Sequence, residues 1–144
     1  MKALTVPQFC RYWLPPLVLT AGILIFSGDL GSSANTKKVL DWLLALLSLP
    51  GIERLEESQG YLRKAGHILA YGTLYYAWFR AWLWRLSPRR GAPTLVALAL
   101  CLLVALLDEG HQALFPSRTG CLSDVALDFS AAALAALAFS WKRI

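Results

Sequence analysis

The 144 residues suffice for one domain, yet 57% are hydrophobic and only 16% charged, with mean hydropathy +0.50. Soluble domains carry about 25% charged residues, and small ones bury a smaller share of their surface, so a water-soluble globule is disfavoured and lipid is the expected solvent. The net charge of +5, fourteen Lys and Arg against nine Asp and Glu, comes without a basic stripe interleaved with aromatics outside the apolar runs; this argues against a nucleic-acid partner and for basic residues that orient membrane spans.

Four stretches approach the roughly 20 apolar residues needed to cross a bilayer, and together they predict an all-α, four-helix transmembrane bundle. The first is Tyr12 to Ser27, closed by Gly28 and Asp29. A cleaved secretory signal is the alternative, with Lys2 and Arg11 ahead of the run and GSSAN as the small-residue site. The small residues fall well past the end of a long apolar stretch, which favours a retained helix.

Residues Val39 to Leu49, VLDWLLALLSL, stop at Pro50-Gly51. As a helix they would extend only about 16 Å, half a bilayer. A short interfacial or re-entrant helix between the first and second spans is predicted. The charged segment that follows, IERLEESQGYLRK, belongs in water or among headgroups.

The second predicted span runs from about Gly66 to Leu86 and is dense in aromatics. The third starts after Pro93, with TLVALALCLLVALL, and continues helically through DEGHQALF to Pro116. The fourth is Val125 to Trp141. Pro93 suits the first turn of a helix and Ser123 the N-cap position.

The loop after the second span holds Arg85, Arg89 and Arg90, whereas the loop after the third holds Arg118 alone. That asymmetry predicts cytoplasmic termini, with the two acidic connections facing outward. Cys10 and Cys121 then lie on opposite sides of the membrane and cannot pair, and Cys101 sits mid-span. With an odd count and no CxxC, the thiols are expected to be inert.

Ionisable residues in or beside a span are expensive and read as functional. Here they gather at one predicted face. Lys64, His67 and Tyr71 open the second span, and His67, Tyr71 and Tyr75 share a helix face at four-residue spacing. Asp108, Glu109, His111 and Gln112 close the third, Arg118 lies in the loop, and Asp124 and Asp128 open the fourth. Asp108 and Asp128 would lie roughly 10 Å inside their helix ends. Carboxylates at that depth need partners, and Arg118, His67, Lys64 and Gln112 are the available ones.

The alanines of the fourth span would let it approach its neighbours closely and bury Asp128 against the third. A purely structural network of Asp108, Arg118 and Asp124 closing the last hairpin is the plainer alternative. No HExxH or comparable spacing is present, so no metal is expected, and no other cofactor either.

In order, Lys64-x-x-His67-x-x-x-Tyr71, Asp108-Glu109-x-x-Gln112, Pro116-x-Arg118-x-Gly120 and Ser123-Asp124 resemble the VanZ-like family of bacterial membrane proteins. The resemblance covers residues 64–140, with Ser27 at the close of the first span as weaker support, and it implies a single VanZ-like transmembrane domain over 1–144. Where many members carry Asn and then Gly early in the fourth helix, this chain has Asp128 and Ser130. The family takes its name from a protein linked to teicoplanin resistance. The resemblance therefore implies a multi-pass protein of the bacterial cytoplasmic (inner) membrane with a role in the cell envelope.

Three functions are compatible with these residues. The first is an outward polar pocket of Lys64, His67, Tyr71, Asp108, Glu109, Gln112, Arg118, Asp124 and Asp128. It would bind an anionic lipid headgroup, a lipid-linked cell-wall precursor or a glycopeptide, with Arg118 the stronger anion contact through its bidentate fork. The second is a membrane enzyme on a lipid-linked substrate, in which Asp108 or Glu109 and His67 or His111 act as an acid–base pair. The third is a scaffold whose charges only hold helices together.

Overall fold

The computed structural model describes residues 4–46, 52–86, 90–116, 118 and 120–141, and among these every regular element is helical. The first helix, α1 (Val6–Phe26), contains a widened π-helical turn at Phe9–Trp13. Pro15 and Pro16 explain it. Neither has an N–H for the carbonyls of Arg11 and Tyr12, and the wider turn, in which Leu14 N–H reaches Phe9 O, leaves room for the two rings. A 3₁₀ turn at Asp29–Gly31 then leads into α2 (Ser33–Leu46). Three longer helices follow: α3 (Ile52–Leu86), α4 (Gly91–Gln112) and α5 (Leu122–Trp141).

Among the described residues three helices are long and apolar enough to cross a membrane, namely Val6–Phe26, Gly91–Gln112 and Leu122–Phe139. The chain is thus a multi-pass membrane protein. Residues 66–86 do not reach that apolar standard. Their Tyr, Trp and Arg side chains lower the hydropathy of a segment that nonetheless supplies Tyr71, Leu74, Tyr75, Trp78 and Phe79 to the core.

The expected short helix at 39–49 begins earlier, at Ser33, and residues 47–49 lie outside the described part. Ser32 accounts for the earlier start: its carbonyl accepts from Thr36 N–H and its Oγ from Asn35 N–H. The second predicted span does not begin at Gly66 either. It is the last part of a 35-residue helix about 52 Å long. Between Ile52 and Leu86 no proline interrupts the chain, and Glu, Leu, Arg, Lys and Gln, all good helix formers, fill the polar first half. Ser123 also moves, falling inside the first turn of α5 rather than at its N-cap.

The core pairs large side chains with small ones. Tyr71, Leu74, Tyr75, Trp78 and Phe79 of α3 meet Ala97, Cys101, Val104 and Ala105 of α4 and Ala131, Ala132 and Ala136 of α5. α3 packs against α1, α4 and α5, and these small residues allow close backbone approach. The outer surfaces are apolar, with Leu17, Val18 and Ile25 of α1, Leu95, Leu103 and Leu107 of α4, and Leu134 and Leu137 of α5 all exposed. Water would not tolerate that surface, whereas lipid suits it.

Aromatic and basic residues gather where the chain enters α1 and leaves α3. Tyr12 stacks on Trp84, Trp13 meets Trp78 and Trp82 edge to face, and Arg80 lies over the rings of Tyr12 and Tyr76. The acidic residues collect at the other end.

Candidate functional site

At that other end α1 and α4 finish, α5 begins, and the middle of α3 passes between them. Asp108, on the last turns of α4, is 2% exposed. Both of its carboxylate oxygens accept hydrogen bonds: Tyr71 Oη donates to Oδ2 at 3.3 Å, and Gln112 Nε2 to Oδ1 at 3.0 Å. The Gln112 contact follows from its position one turn along the same helix. Ser27, buried at the close of α1, donates to the Asp108 backbone carbonyl at 2.8 Å and ties α1 to this turn. Ser27→Ala should leave that carbonyl short of a partner and cost about 1 kcal/mol. A small, measurable fall in Tm in detergent micelles is expected, and an unchanged Tm would count against the tie.

Asp128, on the second turn of α5, is fully buried, and both its oxygens face His67 Nδ1, at 3.1 and 3.2 Å. His67 stacks on Tyr71 with ring centroids 6.4 Å apart, so the i, i+4 spacing read in the sequence forms one wall of the site. His67, Asp108 and Asp128 come from three helices, yet a ligating atom from each lies within 4.8 Å of the others.

Glu109 faces the hairpin. Its Oε2 accepts the backbone N–H of Cys121 at 2.8 Å, and its Oε1 accepts from Gln112 Nε2 at 3.2 Å. Cys121 immediately precedes α5, so Glu109 supplies negative charge and an acceptor to the start of that helix. Gly120 makes the approach possible, because a Cβ there would run into the Glu109 backbone carbonyl and into Ala113.

Arg118 does not bridge Asp108 or Asp124 as the sequence suggested. Among the described residues, its guanidinium donates to the backbone carbonyls of Gly31 and, at 3.4 Å, Phe26. The end of α1 and the 3₁₀ turn after it leave carbonyls without helical partners, and the fork of Arg118 reaches one from each. Its Nε is buried and, among the described residues, meets no acceptor. Burial, followed by the like charge of Arg63, holds this guanidinium below the usual arginine range, while Asp108, Glu109 and Asp29 act in the opposite direction.

These groups surround a cavity of about 150 Å³. Ser27, His67, Asp108, Gln112 and Arg118 give it a polar side, and Ile23, Phe26 and Ala70 an apolar one. Of the residues singled out in the sequence, Tyr71 and Asp128 stand just behind this lining. Glu109 belongs to the hairpin, Asp124 is half-buried in the first turn of α5, and Lys64 is exposed. His111 meets Phe115 edge to face, with ring centroids 4.9 Å apart. Neither Asp108 nor Glu109 hydrogen-bonds a histidine among the described residues.

Sequence reasoning missed the carbonyl acceptors of Phe26 and Gly31. The Gly28-Asp29-Leu30-Gly31 turn signal marked the place without indicating its use.

A family model described as VanZ/LLP1 matches residues 13–143. No curated protein and no solved structure matches the chain.

Proposed function

Because the chain belongs to the VanZ/LLP1 family, we propose that it is an envelope protein of the bacterial cytoplasmic membrane whose cavity binds an anionic lipid headgroup or a lipid-linked cell-wall precursor. The buried Nε of Arg118 at the cavity, unpartnered among the described residues, carries this reading. Two backbone carbonyls position the guanidinium without neutralising it, which leaves its charge to an incoming anion. The apolar side formed by Ile23, Phe26 and Ala70 suits the first carbons of a lipid chain, and the polar side suits its head.

In this reading residues 66–86 cross the bilayer as a fourth span, packed against the three apolar helices. The excess of basic residues after α3 over those after α4 supports cytoplasmic termini and a cavity at the outer face. The bond of Glu109 to Cys121 supports a structural role for that carboxylate at the hairpin.

The test is binding of the purified protein to nanodiscs containing phosphatidic acid, against phosphatidylcholine alone. Wild type should prefer the phosphomonoester lipid, Arg118→Lys should retain part of that preference, and Arg118→Ala should lose at least about tenfold, since a charge-assisted contact contributes about 1.5–3 kcal/mol. Wild-type preference in a correctly inserted Arg118→Ala protein would overturn the proposal.

A further inference from the structure

Two buried carboxylates and one imidazole converge beside the cavity, where a lipid-binding pocket alone would not need them. Asp108 and Asp128 are 2% and 0% exposed and lie close enough to repel strongly if both are ionised. Asp108 accepts from Tyr71 on one oxygen and from Gln112 on the other, so both its oxygens already face donors. A positive charge between the two acids would resolve the repulsion.

We propose that His67, Asp108 and Asp128 form a binding site for one divalent transition-metal ion, of the Mn²⁺ or Zn²⁺ class, at the wall of the cavity. The geometry suits it. One ligating atom from each residue lies within 4.8 Å of the others, and His67 Nδ1 is 3.1 Å from Asp128 Oδ1. Ligands bound at about 2.0–2.2 Å around a tetrahedral ion stand roughly 3.3–3.6 Å apart, so small side-chain movements close the site.

The imidazole selects a transition metal over Mg²⁺ or Ca²⁺, which prefer all-oxygen shells. Tyr71 and Gln112 would be the outer partners that orient Asp108. Three protein ligands leave a coordination position open, and His67 and Asp108 line the cavity, so that position faces it. There the ion would meet a phosphate oxygen opposite Arg118. This last link rests on the lipid reading above, but the metal site itself does not.

The test uses the full chain in detergent, stripped with a chelator and then titrated with Mn²⁺, Zn²⁺ or Co²⁺ alone. Elemental analysis should find one ion per chain after desalting, and Tm should rise with added metal. Co²⁺ should give visible d–d bands that report nitrogen–oxygen coordination in the unmutated protein. Asp128→Asn and His67→Gln should each weaken affinity at least tenfold, whereas Arg118→Ala should bind metal like wild type. A wild-type chain with no bound ion, no Tm rise and no Co²⁺ bands would overturn the proposal, as would undiminished affinity in a folded Asp128→Asn protein. Loss of phosphatidic acid preference in Arg118→Ala with metal retained would bear on the lipid alone; intact preference with no metal bound would remove only the metal.

Discussion

His67→Leu should destabilise the metal-free protein by about 3 kcal/mol or more, among the largest effects of any single side chain at this end of the bundle. The figure follows from what is left behind. Asp128 is fully buried on α5, and both its oxygens face His67 Nδ1. Removing one partner of a buried pair strands the other charge and costs about 3–5 kcal/mol, whereas replacing both with apolar groups of similar volume is often neutral. His67 itself keeps some exposure, 23% of its side chain, so the lower part of that range applies.

The double variant His67→Leu/Asp128→Leu should therefore recover most of the loss. Chemical unfolding in micelles, with chelator present throughout, measures the coupling across the four proteins. Additive losses would mean that the two residues do not act as a pair.

Gly120→Ala should cost a similar amount by a different route. A Cβ at this position would collide with the Glu109 backbone carbonyl and press on Ala113. The obstruction is backbone, and that carbonyl already accepts the N–H of Ala113, so it cannot swing aside without releasing the end of α4. Overpacking of this kind costs about 1–3 kcal/mol, and the upper end is expected because Glu109 would also lose its hold on Cys121. Gly72→Ala is the matched control. Nothing lies within 4 Å of a Cβ there, so the exchange within α3 should be neutral or stabilising by about 0.5–1 kcal/mol. Equal Tm values for the two variants would refute the close-approach argument.

Much of this was legible in the sequence, for reasons that differ by element. Apolar length alone located α1, α4 and α5. Helical spacing placed Asp108 beside Gln112 and His67 beside Tyr71, and both pairs are in contact. The extent of α3 was not legible from hydropathy, because its polarity changes at Gly66 while no proline breaks the helix there. The role of Arg118 was hidden for another reason. Electrostatic reasoning paired it with carboxylates, whereas its acceptors are main-chain oxygens at the end of α1 and in the 3₁₀ turn after it, and these carry no side-chain signature. The convergence of His67, Asp108 and Asp128 was equally invisible to local motifs. Those three lie 41 and 20 positions apart along the chain, and only the packing of three helices unites them.

The unbroken course of α3 has a mechanical consequence. From Ile52 to Leu86 it is a single rod of about 52 Å, longer than the roughly 30 Å hydrocarbon layer, with His67 close to its midpoint. A straight helix transmits tilt and rotation along its axis instead of absorbing them. Torque applied to its polar half would therefore turn the imidazole against Asp128, as a key turns a lock from outside the door.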